Sequence, residues 1–200
     1  MADVLTNCQC GPQPKETEPV IILLNGSFGI GKTTTAALLR SAIEGSAICD
    51  PEEIGIFLWR LPRWVRLDGR DTDDFQDMKA WRQWTVRGIR SIRLLHHTVI
   101  VPMAFSNLDY LTEIRSGLER FDPDIRQFCL VAPLDVIQER LIGRGADPVT
   151  AGGKWAFRRA AECCAAHADT AFGEPVPAAH RSPADIAADI VARLGSRAVA

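Results

Sequence analysis

The sequence predicts an α/β domain, a three-layer sandwich in which a parallel, mostly five-stranded sheet lies between two layers of helices and carries a short lid. Three observations predict it. Short β-branched apolar runs alternate with segments of helical spacing along the chain, the pattern of strands joined by crossover helices and buried on both faces. A glycine-rich stretch, Gly26–Thr33, falls between the first such strand and the first helix. The length of 200 residues, 46% hydrophobic and 24% charged, fits one domain with its own core and leaves no room for a second of full size.

Each element follows in order. Residues 1–19 mix Gly11, Pro12 and Pro14 with charges, lack the apolar stretch of a signal peptide, and are expected to form a flexible leader to a single domain over 20–196. Val20–Leu24 is a β-rich run ended by Asn25 and Gly26, and Thr33–Ile43 has helical spacing. Ala47–Cys49 reads as a second strand, followed by Asp50 and by Pro51 as the first residue of a helix continuing over Glu52–Leu61. Arg60–Asp74, rich in Arg and Asp, is expected to be irregular. Phe75–His96 reads as one long amphipathic helix through Phe75, Met78, Trp81, Ile89, Ile92 and Leu95, and Val99–Met103 as the third strand.

The alternation then repeats: helix Leu108–Arg120, strand Ile125–Ala132, helix Leu134–Arg144, a glycine-rich loop Gly145–Gly153 within a lid over about 144–158, helix Trp155–Asp169, a short strand near Val176 and helix Ala184–Leu194.

Composition narrows the function. With 23 basic and 25 acidic residues the net charge is −2, which argues against nucleic acid as the main partner. The cysteines, Cys8, Cys10, Cys49, Cys129, Cys163 and Cys164, have neither zinc-site nor disulfide-framework spacing, so reduced thiols and a cytoplasmic location are expected. No apolar run approaches the roughly 18 residues of a membrane span. His96, His97, His167 and His180 show no metal-ligand spacing.

The most informative stretch is Gly26-Ser27-Phe28-Gly29-Ile30-Gly31-Lys32-Thr33, with Thr34 next in line, which satisfies the phosphate-loop pattern G-x-x-x-x-G-K-[ST] in its required strand–loop–helix context. The glycines allow successive N–H groups to turn inward as an anion nest at the helix N-terminus. Lys32 is expected to reach the β- and γ-phosphates of ATP, and the Thr33 hydroxyl to hold Mg²⁺. The chain length and the absence of an N-K-x-D guanine motif point to the scale of nucleoside and nucleotide kinases.

Asp50 ends the second strand, and in a parallel sheet the carboxyl ends of strands line the ligand crevice. It is the candidate base for an acceptor hydroxyl, the alternative being a helix cap alone. Arg140 and Arg144, four apart, share a helix face toward the lid and are candidates to stabilise the transferring phosphoryl group, against an alternative of C-terminal capping in solvent. Lys154, Arg158 and Arg159 extend that basic cluster. Trp81 and Arg82 are candidate acceptor contacts, with Trp81 balanced between pocket and core; Trp84 is read as core. Arg60, Arg63, Arg66 and Arg70 form a basic run that meets either a substrate phosphate or solvent.

In chain order, the loop Asn25–Thr33, Asp50-Pro51-Glu52, Asp74-Phe75-Gln76 with Trp81-Arg82, Ile100-Val101-Pro102-Met103, and Arg140 with Arg144 resemble the tunicamycin resistance protein family over about Val20–Leu194. The resemblance implies a P-loop fold similar to nucleoside and nucleotide kinases, ATP binding, and resistance to tunicamycin, a lipid-bearing, uridine-like antibiotic. It places the nucleotide loop on Gly26–Thr33, the carboxylate after the second strand on Asp50 and the lid arginines on Arg140 and Arg144. Arg60–Asp73 and Gly145–Gly153 depart from the family pattern. The expected activity is ATP- and Mg²⁺-dependent phosphoryl transfer to a hydroxyl of a nucleoside-like small molecule, with tunicamycin the leading acceptor. The alternatives are an ATP-binding protein that sequesters tunicamycin unmodified, and a housekeeping nucleoside or nucleotide kinase.

Overall fold

A computed structural model describes residues 19–62 and 74–195. The elements are β1 (Val20–Gly26), α1 (Lys32–Ala42), β2 (Ser46–Ile48), α2 (Pro51–Arg60), a 3₁₀ turn (Phe75–Asp77), α3 (Lys79–Arg93), β3 (Thr98–Met103), α4 (Leu108–Glu119), β4 (Ile125–Val131), α5 (Leu134–Gly143), α6 (Ala151–Ala166), a 3₁₀ turn (Thr170–Phe172), β5 (Glu174–Pro177) and α7 (Pro183–Gly195). All five strands pair in parallel, in the order β2-β3-β1-β4-β5, so β1 is central and delivers the glycine loop to the middle of the sheet's carboxyl edge.

The two-residue period of β1 builds both helical layers. Ile22 and Leu24 point to one face, where they join Leu39 of α1, Ile137 and Leu141 of α5, and Ile186 and Ile190 of α7. Ile21 and Leu23 point to the other, with Trp81 and Ile89 of α3 and Leu111, Ile114 and Leu118 of α4. A strand apolar on both faces has only the centre of such a sandwich to occupy, and β1 is buried throughout.

The five expected strands are present, and the structure corrects several expectations between them. The long helix expected over Phe75–His96 is interrupted: Asp74 Oδ1 accepts from Gln76 N at 2.9 Å, capping the first turn, and Met78 is extended before α3 begins. Trp84 is 47% exposed rather than core, because the buried stripe of α3 runs through Trp81, Thr85 and Ile89 and leaves position 84 at its edge; Leu95, beyond the helix, is 82% exposed. The glycine-rich loop is shorter than expected. Thr150 Oγ1 accepts from Gly153 N at 3.1 Å, so α6 starts at Ala151 with both Gly152 and Gly153 in its first turn. The expectations for residues 1–18 and for Arg63, Arg66 and Arg70 lie outside the described residues. Among the described residues, no helix is long and apolar enough to cross a membrane.

Candidate functional site

Backbone geometry makes the phosphate loop. Gly29 and Gly31 adopt φ of 80° and 105°, values that side chains disfavour, and a Cβ on Gly26 would meet Ile30 Cγ2 at 3.0 Å and Leu130 Cβ at 3.1 Å. Gly31 is also the N-cap of α1, where no side chain caps the helix and no acidic residue occupies its first turn. The helix therefore presents its N–H groups and positive dipole end to an outside anion.

Lys32 folds back over this loop: Nζ donates to the Ser27 carbonyl at 2.9 Å and stands 5.4 Å from the Phe28 ring centroid. Burial lowers its pKa; nearby Glu52 and Asp50 act in the opposite direction and Arg144 in the same one. A cavity of about 180 Å³ opens beside it, walled by Phe28, Gly29, Gly31, Lys32, Thr33, Thr34, Asp50, Glu52, Pro102 and Arg144. Ser27 and Ile30 support the loop from beneath. The Ser27 hydroxyl donates to the Phe28 and Ala160 carbonyls at 3.3 and 3.4 Å, and Ile30 is buried in the core.

Asp50 and Arg144 thus converge on Lys32. Asp50 is both cap and pocket carboxylate: Oδ1 accepts from Glu52 N at 2.9 Å while the residue lines the cavity. Arg140, on the same helix as Arg144, faces elsewhere. Its guanidinium donates to the carbonyls of Ile30 at 3.2 Å and of Ala178 and Ala179 at 2.8 Å each, stapling the phosphate loop to the segment after β5. Glu52, quoted from the sequence only as part of the Asp50-Pro51-Glu52 motif and given no role there, is a residue of the site. It lines the same cavity, and desolvation raises its pKa, with Asp50 and Asp74 adding to the rise and Lys32 opposing it. Its placement two residues after Asp50 at a helix start was the available signal.

Trp81 serves core and site together. It is buried, its Nε1 donates to the Pro51 carbonyl at 2.8 Å, and it lines a second cavity of about 260 Å³ with Phe28, Trp59, Phe75 and Trp155. Arg82 corrects the expectation of an acceptor contact: Nε pairs with Glu113 Oε2 and an NH group donates to the Gln76 carbonyl, both at 2.6 Å, while the guanidinium lies 4.2 Å from the Tyr110 ring centroid. It holds the start of α3 to α4. Arg159 is likewise engaged, with Asp74 and Ser106 at 2.9 Å and Glu162 at 2.6 Å. Trp155, whose neighbourhood has no local sequence pattern, closes the second cavity by packing edge-on to Phe28 at 5.1 Å.

A buried clip fixes the two central strand ends. Phe105 N donates to Asn25 Oδ1 at 2.9 Å, and Asn25 Nδ2 returns a bond to the Phe105 carbonyl at 3.4 Å. His167 Nε2 lies 2.7 Å from that same carbonyl; burial lowers its pKa, favouring a neutral ring that donates there.

The overall arrangement has known counterparts. The tunicamycin resistance protein of Deinococcus radiodurans superposes with a TM-score of 0.66 at 25% identity, covering 88% of this chain and 95% of that one. A gluconokinase from Sinorhizobium meliloti gives 0.62 at 17% identity over 90% and 93% of the two chains. A shikimate kinase from Acinetobacter baumannii gives 0.59 at 15% over 92% and 97%. No family model matches the sequence, and no curated protein does. The fold is that of P-loop kinases, and the resemblance to a tunicamycin resistance protein extends over most of both chains.

Proposed function

We propose that this chain is an ATP- and Mg²⁺-dependent phosphotransferase that transfers the γ-phosphate to a hydroxyl of a nucleoside-like small molecule, with tunicamycin the leading acceptor. The observation that carries the reading is the convergence of Lys32, Asp50 and Arg144 on one cavity at the open N-terminus of α1. A phosphate loop alone gives binding. A carboxylate facing it from the end of β2 adds a proton acceptor.

The glycine cradle and the uncapped helix end fit a polyphosphate, and Thr33, exposed on the cavity wall, fits a magnesium ligand. Bound Mg²⁺ would neutralise phosphate charge and orient the chain of phosphates. Lys32 exchanges its bond with the Ser27 carbonyl for phosphate oxygens. Asp50 accepts the proton of the acceptor hydroxyl as that oxygen bonds to phosphorus and the bond to the departing ADP oxygen breaks. Arg144 stabilises the charge shifting onto the leaving group, an electrostatic effect worth about 2.7–4 kcal/mol for one well-placed donor. Arg140 holds the loop in shape through its three carbonyl bonds.

A mass-spectrometric screen of nucleosides, nucleotides and tunicamycin with ATP and Mg²⁺ tests the reading. The expected result is one acceptor heavier by a single phosphate with an equal amount of ADP. Saturable tunicamycin binding without modification would replace it with sequestration.

A further inference from the structure

The phosphate loop divides its residues between two cavities that have no lining residue in common. Phe28, Gly29 and residues 31–34 wall the phosphate cavity, whereas Ser27 and Ile30 wall a separate one of about 330 Å³, formed with the ends of β4 and β5 and the C-terminal end of α6. Its surface is apolar and uncharged: Ile30, Leu130, Val131, Pro133 and Pro177 supply most of it, and no Asp, Glu, Lys or Arg among the described residues lines it. An ion would lose its hydration there with no counter-charge, so the occupant is neutral. The volume falls within the range of small-molecule sites and is about twice that of a cavity that accepts benzene, which sets the size at a bicyclic ring.

One polar group in the wall has an unmet bond. His167 is 7% exposed, and its Nε2 stands 2.7 Å from the Phe105 carbonyl oxygen, which can only accept, so Nε2 carries the hydrogen. In the neutral ring that burial favours, Nδ1 is then a bare acceptor, and no partner meets it among the described residues. A buried acceptor without a donor is costly, and an N–H or O–H brought into the cavity would supply one.

We propose that this cavity is a further ligand site, for an uncharged molecule of bicyclic size with one N–H or O–H that donates to His167 Nδ1. The ligand packs against Ser27 and Ile30, the two side chains that support the loop from beneath, and steadies the loop in the form that receives phosphate. Ligand and ATP therefore favour each other's binding. Only this coupling rests on ATP binding at the loop; the site itself does not.

The probes are indole, whose N–H is a donor, and 1-methylindole, which lacks it, titrated calorimetrically into the full-length protein. Indole should bind with a Kd of about 1 mM or tighter, and 1-methylindole at least about threefold more weakly. Alkylation locates the bound probe. Among the described cysteines only Cys164, in the cavity wall, is partly exposed, so indole should slow the iodoacetamide modification of its peptide that Cys164→Ser removes. His167→Phe should erase the preference for indole over 1-methylindole. If that variant does not fold, Ala132→Leu with Ala168→Phe, at half-buried and exposed wall positions, should weaken indole at least about tenfold. Saturating indole should lower the Kd of a non-hydrolysable ATP analogue about threefold, and the analogue should tighten indole by the same factor. No indole binding at millimolar concentration, which would leave the cavity to water, equal affinity for 1-methylindole, an unprotected Cys164, or wall variants that bind indole normally would overturn the site. Unchanged or weakened analogue binding would overturn the coupling alone. An analogue that does not bind at all while indole does would overturn the phosphate-loop reading instead.

Discussion

Trp81 Nε1 donates to the carbonyl oxygen of Pro51 at 2.8 Å, so the indole that lines the second cavity also fixes the first turn of the helix that Asp50 caps. Core packing and the position of the proposed base are therefore one constraint. Trp81→Phe should keep most of the apolar burial and lose the hydrogen bond, costing about 1 kcal/mol of stability. Turnover should fall more than ATP affinity does, because Asp50 loosens while the phosphate loop is untouched. Urea denaturation and steady-state kinetics on the same preparation check both.

Arg140 and Arg144 share a helix and should separate cleanly in experiment. Arg140→Ala leaves the carbonyls of Ile30, Ala178 and Ala179 without their donor and should destabilise the protein by about 1–3 kcal/mol, weakening ATP binding through the loop. Arg144 is exposed on the cavity wall, so Arg144→Ala should change stability by no more than about 0.5 kcal/mol and lower kcat. Thermal melts and nucleotide titrations distinguish these outcomes.

Adjacent glycines in the first turn of α6 make opposite predictions. A Cβ on Gly153 would overlap the Asp147 carbonyl oxygen, and Gly153→Ala should break the Thr150-capped turn and destabilise by about 1–3 kcal/mol. A Cβ on Gly152 meets nothing within 4 Å, and Gly152→Ala should stabilise by about 0.4–1 kcal/mol through lower unfolded-state entropy. Denaturant midpoints read the two signs directly.

Burial pushes the thiols of Cys49 and Cys129 up to about 12 and that of Cys163 to about 11. At pH 8 all three should resist a thiol-specific disulfide reagent until the protein unfolds. Their folded values exceed the ordinary thiol value of 9.0, so their contribution to stability is intact below pH 9 and is lost as pH rises through 11–12. Thiol counting on native and unfolded protein, with denaturation curves at pH 8 and 10, checks both statements.

The parts legible in the sequence are those whose physics is local. Gly26–Thr33 reads as a phosphate loop because backbone conformation and helix polarity are encoded within eight residues and confirmed by the strand and helix on either side. Asp50 is legible for a similar reason, a cap before Pro51 that also ends the approach from β2. Arg140 and Arg82 are not, since their spacing places them on a helix face but their partners, Ala178 and Glu113, lie far along the chain. Trp155 joins the second cavity only through tertiary contact with Phe28. The break at Met78 was hidden by apolar spacing that continues across it, and only the Asp74 cap gives it away.

The most direct test of the central claim is Asp50→Asn, assayed for turnover and for ATP binding with the acceptor found by mass-spectrometric screening. Asparagine is as good a helix cap as aspartate, so the bond from Glu52 N and the fold should survive while the proton acceptor is lost. The account predicts an unchanged melting temperature, retained ATP binding and turnover lowered by about 10²–10⁴. Turnover close to that of the unmodified protein would contradict it and leave Asp50 a helix cap alone.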